Sequence, residues 1–262
     1  MGELVQYSAR KGVATVMLNR PEKRNALNGE MVTALKQAFA RAAEEESVRV
    51  IVLEGAGKVF SAGADLAALE TLQSATPMEN TADSEHLASL FEQMYVHPKP
   101  IIARVHGHAI AGGCGLAAVC DFSIVASHAK LGFTEVRIGF VPAIVMVFML
   151  RKLGEASARD LLLRGRLISA ERAAEIGLVT QTVPAEALDE TVDKLAWEIA
   201  TQTSGSAVAL TKNMLAQVPG MGLSEALAYA TQLNAFARGT ADCRAGISAF
   251  LKKVDPPWKA GS

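Results

Sequence analysis

Two stretches of this sequence turn sharply where a strand gives way to a helix, and a third carries an acid in apolar company. In FSAGADL (60–66) a tight Ala-Gly-Ala turn precedes a helix opening at Asp65 or Leu66. In AIAGGCGLAAVCD (109–121) Ala111, Gly112 and Gly113 again follow a strand and precede a helix. The first N–H groups of a helix have no partner within it. Two such turns can therefore aim one N–H each at a shared point, which is the geometry that stabilises charge growing on a carbonyl oxygen. Taken singly, each such turn is more often mere tight packing. The third stretch is KLGFTEVRIGF (130–140), where Glu135 reads in two ways. It is a general acid/base tuned by burial, or one half of an exposed ion pair with Arg137. Periodicity does not separate the two.

Other chemistry-bearing residues carry less. His106 and His108 lie two apart without a third ligand at coordinating spacing, so no metal site is expected. His108, beside the second turn, is a candidate for touching a ligand. Cys114 and Cys120 read as packed thiols, because a catalytic cysteine wants an activating base beside it. EGAGKVFSAGADL (54–66) has only the outline of a phosphate loop: Val52 stands where the first glycine belongs, and Val59 follows the lysine in place of Ser or Thr.

The elements that must hold these groups suit a large core, since half of the 262 residues are hydrophobic. The net charge of −1 and the lack of a Lys/Arg run argue against a nucleic-acid partner. Three cysteines without CxxC spacing, and no signal-like opening, point to a reducing cytoplasm. The apolar run IGFVPAIVMVFML (138–150) is 13 residues long, too short for the roughly 20 that span a bilayer, so it reads as a buried helix or an interface and no membrane partner is expected. Strands are predicted at 4–7, 12–19, 48–55, 101–105 and 122–126. Helices are predicted from Asn28 to about Arg41, from Leu66, through Leu87–Met94 and near 112–120. The polar stretch 73–83 reads as a mobile loop, and from about 143 the pattern is almost wholly helical.

NRPEKRNALN (19–28), FSAGADL (60–66), HGHAIAGGCGLAAVCD (106–121) and LGFTEVRIGFVP (131–142) occur in an order that resembles the enoyl-CoA hydratase/isomerase, or crotonase, superfamily. The likeness continues through RGRLISAERAAEIGLVTQTVP (164–184) and covers nearly the whole chain. The resemblance implies an α/β fold: a crotonase-like spiral of β-β-α units over 1–200 holding the active site, with a C-terminal helical trimerisation region over 201–262. It implies an acyl-CoA thioester as substrate, with coenzyme A present only as part of that substrate, and a homotrimer or homohexamer.

Residue by residue, the resemblance puts the two oxyanion N–H groups on Ala64 and Gly112. It puts the CoA contacts on Lys23, Arg24, Ala62, Asp65 and Leu66, and contacts to a neighbouring subunit's CoA on Phe250 and Lys253. Of the two glutamates typical of hydratases, one matches Glu135 and the other falls on Gly115. Single-glutamate members are similar to Δ3,Δ2-enoyl-CoA isomerases. Ala143 and the surrounding VPAIVMVFML carry no acid where the dienoyl-CoA isomerases, some thioester hydrolases and the CoA dehalogenases have one, and suggest an apolar acyl chain. The expected reaction is hydration of a 2-enoyl-CoA to a 3-hydroxyacyl-CoA. The alternatives are Δ3,Δ2-isomerisation, decarboxylation of a branched acyl-CoA, and a non-catalytic CoA- or RNA-binding relative. Glu70 and Glu85, in the segment 66–96, are the candidates to replace the missing acid.

Overall fold

The computed structural model describes residues 3–259. Strands β1 (Val5–Arg10) and β2 (Val13–Leu18) form the expected antiparallel hairpin, turning through Lys11 and Gly12 at positive φ. Such a turn matches the twist of the flanking strands. Helix α1 (Gly29–Glu44) starts where Asn28 accepts a hydrogen bond from the Met31 N–H at 2.9 Å, and it buries the predicted stripe Met31, Leu35, Ala38 and Phe39. Next come β3 (Val50–Gly55), α2 (Leu66–Leu72), α3 (Pro77–Tyr95), β4 (Ile101–Val105), β5 (Ala109–Ile110), α4 (Gly112–Val119), β6 (Phe122–Ala126) and β7 (Lys130–Gly132). The remainder is α5 (Ala143–Lys152), α6 (Glu155–Arg164), β8 (Ile168–Ser169), α7 (Ala170–Glu175), β9 (Gln181–Val183), α8 (Leu188–Gln202), α9 (Gly205–Gln217), α10 (Leu223–Arg238) and α11 (Ala241–Lys252).

Six strands make one sheet in the order β1-β2-β3-β4-β6-β9, parallel from β2 onward. A second sheet, β5-β7-β8, lies in the layer that carries the two turns. Because the main sheet is covered on both faces, its central strands are apolar on both sides. Ile51 and Leu53 of β3 enter the large core with α1, α3 and α4, while Val50 and Val52 pack against Leu188, Val192 and Ala196 of α8.

Two expectations need correction. The polar stretch 73–83 is not a loop: from Pro77 it is the first two turns of α3, because Thr76 and Glu79 form a reciprocal capping box with Pro77 in the first turn. The region after 143 is almost wholly helical as expected, interrupted only by the short β8 and β9, which find partners on β7 and β6 that no local pattern announces. The apolar run 138–150 is only partly buried. Val145 and Met149 of α5 face the core, whereas Ile138, Val141, Val147 and Leu150 are exposed.

Helix α9 is anchored to the sheet by one buried cation. Lys212 Nζ donates to Asp121 at 2.6 Å and to the Met94 and Lys99 carbonyls, and Asp121 also accepts from the Ile101 N–H. Among the described residues no helix is long and apolar enough to cross a membrane.

Candidate active site

The two sequence turns are pressed against each other. Leu27 accepts from the Asp65 N–H at 2.9 Å and donates to Gly63 O at 2.7 Å, so the first turn is stitched to the entry of α1. Ser61 and Ala109 form a second bridge, through which the Ile110 N–H reaches Ser61 O at 3.0 Å. Buried Asn25 fastens the base of the first turn by donating to the carbonyls of Ala56, Val59 and Phe60. Gly63 sits at φ +84°, and a Cβ there would lie 2.7 Å from Ile110 O and 2.9 Å from Gly112 N. Only glycine permits this approach.

Both N–H groups singled out in the sequence are left open. The bonds of Gly63 and Asp65 to Leu27 turn the Ala64 N–H to the other side, and Gly112 is the first residue of α4. Among the described residues neither N–H has an acceptor. A Cβ built on Gly112 would be 3.9 Å from Ala64 N, so the two donors border one small volume.

Ala111, immediately before Gly112, has φ 52° and ψ −127°, a conformation costly for a residue with a Cβ. Its N–H is held by Gly132 O at 2.8 Å and its carbonyl by the Gly115 N–H at 3.0 Å. Ala111→Gly is expected to stabilise the fold by about 1 kcal/mol, the strain relieved less the entropy of a freer unfolded chain. Urea unfolding checks this, and a loss of stability would mean that the strain is not real.

Glu135 opens a short 3-10 turn after β7 and is 8% exposed. Its Oε2 is buried without a hydrogen-bond partner, and no ion pair joins it to Arg137 among the described residues. Burial pushes its pKa above the ordinary carboxylate value. Ala64, Gly112 and Glu135 line one cavity of about 430 Å³, whose other walls are mainly apolar and include Val32, Leu69, Leu72, Leu87, Ile144 and Val145. A buried carboxyl group in the wall of the same apolar pocket as two free N–H donors can move a proton on a carbonyl compound whose oxygen those donors hold.

The other predicted residues divide. Ala62, Asp65 and Leu66 border the cavity, but the Asp65 carboxylate is engaged: it caps α2 and pairs with Arg20 at 2.6 Å, which holds its pKa below the usual range. Lys23 and Arg24 are exposed on a turn tied to the cavity edge by the Ala62 N–H donating to Arg24 O at 2.9 Å. Phe250 and Lys253, at the end of α11, are exposed and do not line this chain's cavity.

Two assignments fail as contacts within this chain. His108 is exposed and outside the cavity wall, its Nδ1 accepting from the Lys130 N–H, because it sits on the opposite side of the strand edge from the turn it precedes. Gly115 is buried beneath the wall: a Cβ there would meet Val145 Cγ1 at 2.4 Å and Phe91 Cε1 at 3.0 Å. The place where the resemblance would put a second acid is thus filled by hydrocarbon. Gly115→Ala is expected to cost about 1–3 kcal/mol through overpacking. Thermal and urea unfolding of that variant test it, and wild-type stability would show that the site has room.

Sequence reading missed three polar wall residues, Asp83, Ser84 and His86 of α3. Glu70 and Glu85, the expected replacements for the missing acid, are exposed and outside the wall. The signal was available: one helical turn before Leu87, on the same face, is Asp83. Cys114 and Cys120 are the packed thiols expected, with burial raising both to about 12.

A family profile described as enoyl-CoA hydratase/isomerase matches residues 8–261. A Thermus thermophilus protein, provisionally named an enoyl-CoA hydratase, is 45% identical over 93% of this chain and 96% of its own length. The 2,3-dehydroadipyl-CoA hydratase of Escherichia coli is 33% identical over 99% of both chains. Among solved structures, the enoyl-CoA hydratase of Mycobacterium smegmatis superposes with a TM-score of 0.90 at 32% identity, covering 97% of this chain and 98% of the other.

Proposed function

We infer the reaction from one premise: this chain belongs to the enoyl-CoA hydratase/isomerase family. The cavity takes an acyl-CoA thioester, whose carbonyl oxygen accepts from the Ala64 and Gly112 N–H groups while Glu135 transfers the proton. The net reaction is hydration of a 2-enoyl-CoA to a 3-hydroxyacyl-CoA. The single observation that carries this reading is that buried Glu135 lines the same cavity as the two free N–H groups.

In the forward direction Glu135 accepts a proton from the water that attacks Cβ, and negative charge spreads onto the thioester oxygen. Two N–H donors in an apolar pocket stabilise that charge without any metal or separate cofactor. The proton is then returned to Cα. The exposed Lys23 and Arg24 suit the phosphates of the CoA nucleotide. The exposed apolar side chains Leu223, Leu227 and Phe236 of α10, with Ile247, Phe250 and Leu251 of α11, support association of copies as a homotrimer or a pair of trimers. A cytoplasmic setting accords with the buried, unpaired thiols of Cys114 and Cys120.

A second reading, Δ3,Δ2-isomerisation, is favoured by one observation: Val145 and Phe91 fill the space over Gly115, leaving a single carboxyl group to carry a proton between Cα and Cγ. Incubation with crotonyl-CoA and with a 3-enoyl-CoA in ¹⁸O-water separates the two. Label appearing in 3-hydroxyacyl-CoA supports hydration, bond migration without label supports isomerisation, and no turnover of either overturns both.

A further inference from the structure

We propose that Asp83 makes this cavity select against acyl-CoA thioesters whose acyl group ends in a carboxylate. The inference rests on the acyl-CoA reading of the cavity and adds the charge character of the acyl group it admits.

The cavity wall contains three carboxylates, Asp65, Asp83 and Glu135, and no lysine or arginine. Asp65 is neutralised by Arg20 at 2.6 Å. Glu135 is committed to the reacting carbons. Asp83 has no such partner: it is half-buried on α3, and no hydrogen bond or ion pair engages it among the described residues. It lies seven residues into the helix, beyond the first turn where free N–H groups would offset its charge. One turn further on, Leu87 continues the same face into the apolar wall.

His86 is the wall's remaining group able to carry positive charge. Its Nε2 is turned onto Gly29 O at 3.3 Å and Thr33 Oγ1 at 3.0 Å, which ties α3 to the start of α1. An acyl group with a terminal carboxylate would therefore leave water for an apolar pocket that supplies no cation and presents a like charge. Burying an unpaired charge is unfavourable, and a like charge nearby adds to the cost. An apolar acyl group of the same length meets neither penalty.

Hexanoyl-CoA and adipoyl-CoA make the test, since they share coenzyme A and chain length, differ at the acyl end, and lack the double bond that would react. Isothermal titration of the full-length protein at pH 7.5 is expected to show adipoyl-CoA binding at least tenfold more weakly. Asp83→Asn is expected to narrow that ratio at least threefold, and Asp83→Ser, a second neutral variant, to narrow it likewise. Equal affinities within twofold in the wild type overturn the selectivity. A wild-type ratio that neither variant moves overturns the assignment to Asp83. If neither thioester titrates, the acyl-CoA reading of the cavity fails, and this inference with it.

Discussion

Glu135→Gln is expected to lower kcat of the 2-enoyl-CoA reaction by about 10²–10⁴-fold, the usual contribution of a positioned general acid/base. Glutamine keeps the shape of the side chain and its capacity to hydrogen-bond, but it cannot take a proton from water or return one to carbon. Thioester binding should survive, because in the proposed mechanism backbone N–H groups, not Glu135, hold the carbonyl. A Kd for hexanoyl-CoA within a few-fold of wild type, beside collapsed turnover, is the expected result. Turnover close to wild type would remove Glu135 from the mechanism.

The same side chain predicts a pH dependence with a definite sign. Burial raises its folded-state pKa above the ordinary 4.5. Below 4.5 both folded and unfolded chains hold the proton, and Glu135 does not alter stability. As pH rises from there through the raised value, the unfolded chain has released its proton while the folded chain still holds it, so the folded state is progressively penalised. Glu135→Gln lacks this penalty. It should match wild type near pH 4 and be more stable above the raised pKa, as urea unfolding at several pH values would report. Catalysis runs the other way: as acceptor of the proton from water, Glu135 works ionised, so kcat/KM should climb with pH through the same raised pKa. A flat profile would assign the proton transfer elsewhere.

Replacing the Gly112 N–H by an ester oxygen is expected to lower kcat by about 10²–10³-fold, the loss typical of one oxyanion donor. Backbone amide-to-ester exchange is the suitable change because it deletes the donor without a new side chain. The space around Gly112 is limited, with Leu27 Cδ1 3.4 Å from the position of a Cβ. That N–H is the first of α4 and bonds to nothing in the fold, so the exchange should leave stability nearly intact. The same exchange at Ala64 should behave alike. Unchanged kcat after either exchange would remove that donor from the proposed hole.

Much of this was legible in the residues. Asn28, Ser169 and Asp65 each cap the helix that follows, because a short polar side chain ahead of an apolar period satisfies N–H groups only a few residues away. The predicted strands of the main sheet needed only clusters of β-branched residues. The capping box at Thr76 and Glu79 was equally local, but the polar composition of 73–83 hid it. By contrast, β8 and β9 are two and three residues long and exist only because distant strands accept them.

The candidate site divides along the same line. The sequence by itself determined the family resemblance, the two sharp strand-to-helix turns, the acid at Glu135 and the empty position at Gly115. All of these are properties of residue type and of backbone within one turn of helix or strand. Only the tertiary structure decided that Ala64 and Gly112 border one volume, that Glu135 is buried with its Oε2 unpartnered, and that Arg137 is not its ion pair. It also decided that His108 faces away, that Val145 and Phe91 occupy the space over Gly115, and that Asp83 rather than Glu70 or Glu85 reaches the cavity. These depend on which surfaces meet when α3, α5 and the two sheets pack. Side-chain direction relative to a distant element is set by that packing, and the spacing of residues along the chain does not carry it.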